Sequence, residues 1–151
     1  MVDILHKIAT KTQIDKVYDA LATRQGVSAW WTTTVEGESE VGRSLTFRFY
    51  AGDKEIGAFE MKVLELDRNK RVSWQVAAGP QDWIGTKICF DLKQEGEYAV
   101  VLFKHEGWRE ASESMHHCST KWAIFLMSLK AYLETGAGQP SPHDVKIDNW
   151  N

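Results

Sequence analysis

The sequence predicts an α+β fold in which a curved antiparallel sheet of about six to seven strands wraps one long C-terminal helix, with two short helices after the first strand. Residues 112–135 carry apolar side chains at the i, i+3, i+4, i+7 spacing of a single helix face. Before them, five segments alternate apolar and polar residues and are separated by short polar turns, as antiparallel strands are. A helix of about 24 residues is roughly 36 Å long, so its apolar face needs a surface as broad as a sheet to cover it.

The long helix has the clearest local signals. Its apolar stripe consists of Met115, Cys118, Trp122, Phe125, Leu126, Leu129, Tyr132 and Leu133. Ser112 is placed to cap its N-terminus, and Glu113 adds a favourable charge in the first turn. Gly136 stands where a left-handed residue ends a helix, with Pro140 beyond it. We therefore expect the helix to begin at Ser112 and to end at Thr135.

The N-terminal third predicts one strand and two short helices. Residues 2–9 alternate as a strand does. We expect Thr12 to cap a helix, and Thr23 to open a second short helix that reaches Trp30. The first of these helices has an apolar face made of Ile14, Val17, Tyr18 and Leu21. Residues 32–42 are polar and interrupted by glycine, which indicates an exposed loop or a weak strand.

The five alternating segments cover 44–50, 57–66, 71–77, 84–92 and 98–105. Their period of two predicts one solvated face and one covered face. The inward positions include Leu45, Phe47, Phe49, Phe59, Met61, Val63, Val72, Trp74, Val76, Ile84, Thr86, Ile88, Phe90, Leu92, Val101, Phe103 and His105. We expect a single domain over residues 1–138, followed by an extended arm over 139–151 that Trp150 holds in place.

Composition and charge exclude several classes of protein. The net charge of −3 and the isoelectric point near 5.9 argue against nucleic-acid binding, which needs a basic patch. No apolar run has the length of a membrane span, and the N-terminus lacks the apolar core of a signal peptide. Cys89 and Cys118 lack CxxC spacing and fall on apolar faces, which predicts reduced cysteines in a cytoplasmic protein.

Catalytic and metal-binding motifs are weak. The sequence contains no GxSxG elbow, P-loop or GxGxxG turn. His116, His117 and Cys118 are consecutive helical residues that project about 100° apart, so they cannot converge on one ion. We therefore expect neither a metal nor a cofactor.

The aromatic residues predict a site between sheet and helix, or a densely packed core in the same place. Four tryptophans at loops or element ends are placed either to form the mouth of an apolar pocket or to cover the end of the core: Trp30, Trp31, Trp83 and Trp108. His105 is placed to orient the polar end of a ligand, or to be a hydrogen-bonded structural histidine. The candidate ligand-binding residues are Trp31, Phe47, Phe49, Phe59, Met61, Trp74, Phe90, Phe103, His105, Trp108, Trp122 and Phe125.

The side of the long helix away from the stripe also carries apolar residues, among them Ile124 and Met127. One interpretation is that the C-terminal arm covers them. The other is a contact with a second copy or with a protein partner, since exposed apolar patches mark such contacts.

Two stretches resemble a known family: HEGWRE at 105–110 and CSTKWAIFLMSLKAYLETGAGQP at 118–140. They are similar to the SRPBCC (START/Bet v 1-like) superfamily, in its branch of homologues of the heat-shock protein 90 ATPase activator. Residues 22–31 and 83–107 match as well. The resemblance implies a helix-grip fold with a seven-stranded sheet, a further strand at 32–36 and a deep apolar cavity under the helix.

These observations lead to three functional hypotheses. The first is the non-enzymatic binding of a small hydrophobic molecule in that cavity, without a cofactor. The second is a protein–protein adaptor or chaperone-associated stress-response factor, acting through Ile124 and Met127 or through the acidic loop at 36–40. The third is a hydrolase or cyclase-like enzyme that uses His105 and a water.

Overall fold

A computed structural model describes all 151 residues of the chain. Seven strands form one sheet: β1 (Val2–Thr10), β2 (Thr34–Gly37), β3 (Ser44–Ala51), β4 (Lys54–Asp67), β5 (Arg71–Ala78), β6 (Lys87–Glu95) and β7 (Tyr98–Trp108). The helices are α1 (Ile14–Ala22), α2 (Arg24–Ser28) and α3 (Glu113–Thr135). The predicted α+β helix-grip architecture is confirmed, including the strand that the resemblance placed at 32–36.

The sheet is antiparallel throughout, with the order β1-β7-β6-β5-β4-β3-β2. Its two edges are β1 and β2, which are neighbours in sequence apart from α1 and α2. The two short helices therefore carry the chain from one edge of the sheet to the other. Together with α3 they cover the inner face, so that one cluster of 28 buried apolar residues forms the core.

Helix α3 begins and ends as its sequence predicts. The Ser112 hydroxyl accepts a hydrogen bond from the Met115 amide over 3.2 Å. Gly136 ends the helix with φ of +86°, in the left-handed region that glycine adopts without steric cost. None of the three helices combines the length and the hydropathy that crossing a membrane requires.

Two expectations about local structure are wrong. The sixth strand begins at Lys87, not at 84, and Ile84 is 40% exposed. The Thr86 amide bonds back to the Trp83 carbonyl, and Gly85 has φ of +87°, so this segment is a loop although its alternation continues that of the strand. Thr12 does not cap α1. Its hydroxyl donates to the Leu133 carbonyl over 3.2 Å and so ties the start of α1 to the end of α3.

Residues 139–151 form an arm without regular helix or strand, and its first part is firmly attached to the rest of the protein. Ser141 is fully buried and pairs with the segment after α2, donating to the Trp31 carbonyl and accepting from the Thr33 amide. The Gln139 amide donates to the hydroxyl of Ser128 on α3 over 2.7 Å. The arm therefore crosses from the end of α3 toward the sheet.

Candidate functional site

A pocket of about 320 Å³ opens at the end of the core that is nearest to the N-terminal half of α3. One side is formed by α3 and the opposite side by the β3–β4 hairpin, at Ile56 and Gly57. The loop between β5 and β6 adds Pro80 and Trp83, and the arm crosses the mouth with Trp150 and Asn151. The volume lies at the lower end of the range for small-molecule sites.

Seven tryptophan and phenylalanine side chains line this pocket: Trp31, Phe49, Phe59, Trp83, Trp122, Phe125 and, from the arm, Trp150. They also pack against one another. The rings of Trp31 and Trp122 stack with centroids 4.9 Å apart, and those of Phe59 and Trp83 are 4.4 Å apart. These ring contacts stabilise the relative positions of the aromatic side chains around the pocket.

Polar side chains from α3 and from the arm border the pocket as well. Nζ of Lys121 on α3 contacts Oδ2 of Asp144 in the arm and donates to the Val145 carbonyl over 2.8 Å. Nδ1 of His117, one turn earlier on α3, is 2.6 Å from Oδ2 of Asp148. The hydrogen bond from His117 lowers the pKa of Asp148 from 3.8 to about 2, so Asp148 is a carboxylate at neutral pH.

The structure divides the twelve candidate residues into two groups. Five border the pocket: Trp31, Phe49, Phe59, Trp122 and Phe125. The other seven lie in the packed core or deeper under the sheet and do not border it: Phe47, Met61, Trp74, Phe90, Phe103, His105 and Trp108. Of the four tryptophans at loops or element ends, Trp31 and Trp83 line the pocket, whereas Trp30 and Trp108 are buried elsewhere. A role in binding for the seven core residues stays a prediction.

His105 has no solvent exposure, and each ring nitrogen has a protein partner. The Trp122 indole lies 3.1 Å from Nδ1, and the Thr86 hydroxyl lies 2.8 Å from Nε2. Burial lowers the pKa of His105 from 6.5 to about 3, so its imidazole is neutral at physiological pH. This geometry favours the structural interpretation of His105 and leaves it no free nitrogen for a substrate.

Cys118 is the remaining reactive residue type on the wall. Burial raises the pKa of its thiol to about 11, so almost none of it is the nucleophilic thiolate at neutral pH. No group of three or more His, Cys, Asp and Glu side chains is arranged to hold a metal ion. The pocket therefore offers apolar surface and ion-pairing groups for binding.

Sequence reasoning missed Lys121, His117 and Asp144. A signal for Lys121 was present, because it stands three residues after Cys118 and four before Phe125, within the apolar stripe. A lysine at such a position needs a buried anionic partner. The identity of that partner could not be predicted, since the arm carries Asp144 and Asp148 without any periodicity that fixes its path.

Comparison with known proteins places the chain in a family. Residues 11–134 match the family described as "Activator of Hsp90 ATPase homolog 1-like protein". The solution structure of the Aha1 dimer from Colwellia psychrerythraea is 42% identical in sequence, covers 91% of this chain and 100% of its own, and superposes with a TM-score of 0.82. No curated protein matches the chain.

More distant structures share the fold alone. Protein SSP2350 from Staphylococcus saprophyticus is 18% identical, with 93% of this chain and 97% of that one covered and a TM-score of 0.74. CalU16 from Micromonospora echinospora is 16% identical, with 97% and 74% covered and a TM-score of 0.74. The family match over most of the length, with the Colwellia relative, shows that this chain belongs to the Activator of Hsp90 ATPase homolog 1-like family.

Proposed function

We propose that this protein binds a small hydrophobic molecule in the aromatic-walled pocket under the arm. The observation that supports this most directly is the pocket itself, in which seven tryptophan and phenylalanine side chains border about 320 Å³ of space. Apolar surface removed from water stabilises a complex by about 25 cal/mol per Å². A ligand that fills this space would therefore be held mainly by contact with the rings.

The test begins with native mass spectrometry of freshly purified protein, followed by organic extraction of anything bound. We expect an apolar molecule at near one-to-one stoichiometry. A bare monomer that also fails to take up apolar probes in solution would contradict the proposal.

A variant that fills the pocket makes the test specific. A Cβ on Gly57 would meet only the Phe59 ring, at 3.9 Å, so Gly57→Leu should place bulk in the pocket with little strain. Its neighbour Ala58 lies on the opposite face of β4, beside Arg48 in the register of β3. Ala58→Leu is therefore the matched control. We expect Gly57→Leu to abolish uptake and Ala58→Leu to retain it.

A second candidate function is association with another copy of the chain through the outer face of α3. Met127 is 54% exposed and Ile124 lies beside it, one turn earlier on the same side. The Colwellia relative, at 42% identity, is described as a dimer. Association with a chaperone ATPase, which the family description names, stays a further prediction for the same face.

Light scattering after size-exclusion chromatography tests this second candidate. We expect a dimer for the wild type and a monomer for Ile124→Glu combined with Met127→Lys. The control is Leu5→Glu with Leu102→Lys, two other exposed apolar residues on the adjacent strands β1 and β7. Equal masses for all three proteins would exclude an α3 contact.

A further inference from the structure

The charges around the pocket are divided between two parts of the chain. Both cationic or protonatable groups, Lys121 and His117, belong to α3. Both carboxylates that neutralise them, Asp144 and Asp148, belong to the arm. The part of the pocket outside the arm thus combines aromatic side chains with groups that attract a negative charge, and the arm supplies that negative charge.

The Lys121–Asp144 pair is largely removed from solvent, with 10% and 3% of the two side chains exposed. Its position is unusual, because Lys121 emerges from the apolar stripe and its Nζ lies 5.4 Å from the centroid of the Phe125 ring. A lysine removed from water in this way requires an anion beside it whenever the pocket is closed. The anion need not be Asp144, since any carboxylate-like group at that position satisfies Lys121 equally well.

The two parts of the arm are held by different kinds of contact. Ser141 is buried, and its backbone is bonded to that of Trp31 and Thr33. The one backbone–backbone hydrogen bond of residues 144–151 is internal, from the Ile147 amide to the Asn151 carbonyl. Trp150 lies against His117 with ring centroids 5.2 Å apart, yet half of its surface is exposed. The contacts of this end with α3 are therefore two ion pairs, the hydrogen bond from Lys121 to the Val145 carbonyl and one ring contact, and every one of them uses a side chain of α3.

We propose that the end of the arm is an internal competitor for the pocket, and that the ligand is an amphiphile with an apolar body and one anionic group. The body would occupy the space between the aromatic rings, and the anion would take the place of the Asp144 carboxylate on Lys121. The displaced carboxylates would return to water. This inference rests on the proposed function and specifies the chemical class of its ligand.

Two fluorescent probes with the same aromatic body provide the test. Anilinonaphthalene sulfonate carries a negative charge, and N-phenylnaphthylamine lacks the sulfonate. Both are titrated into wild-type protein and into the full-length variant Asp144→Asn with Asp148→Asn. The control variant, Glu38→Gln with Glu60→Gln, removes the same amount of charge from two exposed residues without ion-pair partners. Circular dichroism in the near ultraviolet establishes that each variant keeps native packing.

We expect the sulfonate to bind the arm variant at least about tenfold more tightly than it binds the wild type, because in the wild type Asp144 occupies Lys121 and lowers the apparent affinity of any anion that must take its place. The affinity of the neutral probe should change by less than about threefold. The control variant should bind both probes with the affinity of the wild type. Adding Lys121→Met to the arm variant should remove the gain for the sulfonate and leave the neutral probe unchanged. Amide hydrogen exchange at 144–151 should rise when the sulfonate binds to the wild type.

The outcomes separate this inference from the proposed function. If the affinity of both probes rises equally in the arm variant, the arm blocks the pocket without regard to the charge of the ligand, and the anionic ligand class is wrong. If the affinity for the sulfonate rises as much in the control variant as in the arm variant, the effect comes from net charge and the internal competitor is excluded. If the neutral probe binds and the sulfonate does not, the proposed function stands and this inference falls. If neither probe binds any variant, both fall.

Discussion

The indole N–H of Trp122 donates to Nδ1 of His105 over 3.1 Å, and this contact determines where the imidazole carries its proton. With Nδ1 accepting, the proton is on Nε2, which donates to the Thr86 hydroxyl over 2.8 Å. Thr86 in turn donates to the Trp83 carbonyl over 2.6 Å. Every polar atom in this buried chain has a partner, and the chain links α3 to two segments of the sheet region.

The first prediction concerns acid stability. The folded-state pKa of His105 is about 3 and its ordinary value is 6.5, so between these values the unfolded chain binds a proton that the native protein does not. The free energy of unfolding should therefore fall as the pH decreases from 6.5 toward 3, by about 1.4 kcal/mol per pH unit in the middle of this window. Urea unfolding at pH 7, 6, 5 and 4 measures the slope.

His105→Gln is the control, because glutamine keeps an acceptor and a donor but has no proton to gain in this range. The variant should be less stable at pH 7 and should show a much flatter pH dependence. The same slope in both proteins would mean that another group titrates in this window.

The second prediction concerns the donor in this contact. Trp122→Phe keeps an aromatic ring in the stack with Trp31 but leaves Nδ1 of His105 without a partner. We expect the free energy of unfolding to fall by about 2–4 kcal/mol, from the unpaired acceptor and the lost ring volume together. Trp150→Phe, at a half-exposed position, should cost less than about 0.5 kcal/mol. Equal effects of the two substitutions would contradict a structural role for the Trp122 indole.

The third prediction concerns Ser128, which joins three segments. Its hydroxyl donates to the Trp30 carbonyl over 2.8 Å and accepts from the Gln139 amide over 2.7 Å. Ser128→Ala leaves both groups without this partner and should reduce stability by about 1–3 kcal/mol. Thr120→Ala, on the exposed side of the same helix, should be near neutral. Thermal melting compares the two, and an unchanged melting temperature for Ser128→Ala would exclude this junction as a source of stability.

The fourth prediction concerns the start of α3. Ser112→Ala removes the acceptor of the Met115 amide and should cost about 1 kcal/mol. His117 and Lys121 lie in the first three turns of α3. Loosening this end should therefore raise the amide exchange rate at these two positions more than at Leu129. Ser112→Asp should restore both the free energy of unfolding and the amide exchange rates, since an aspartate is an equally good cap. Failure of Ser112→Asp to restore them would contradict a capping role.

The success of the sequence reasoning on α3 and its partial failure on β6 have the same origin. A stripe with caps at both ends is a local pattern, and Ser112 and Gly136 have the predicted roles because capping depends on residues three or four apart. Alternation is also local, but it does not show whether the chain pairs with a neighbour. Ile84 continues the pattern of β6 and nevertheless lies in a loop, because Gly85 and Thr86 fold back toward β5 and Trp83.

The site depended on longer-range relationships. Inward-facing aromatic residues were identified correctly as a set: Phe47, Trp74, Phe90, Phe103 and Trp122 are all buried. The pocket lies where the β3–β4 hairpin, the loop before β6 and α3 come together. The periodicity of the sequence does not predict how these three segments pack, so it could not show which rings border the pocket. His105 shows the same limit, since its burial followed from phase but its two partners come from distant parts of the chain.

By itself the sequence determined the order of the helices and of six of the seven strands, and most of the residues that face inward, because hydrophobic period, capping and turn chemistry act over a few residues. The family and the strand near 32–36 came from the resemblance of whole stretches such as 105–110 and 118–140. Only the tertiary structure decided that the pocket lies at one end of the core and that His105 is fully buried away from the pocket. It also decided that Lys121 pairs with the carboxylate of Asp144. The physical reason is that an ion pair 23 residues apart, formed by an arm without regular structure, is specified by the surface on which the arm packs and not by any repeat in the chain.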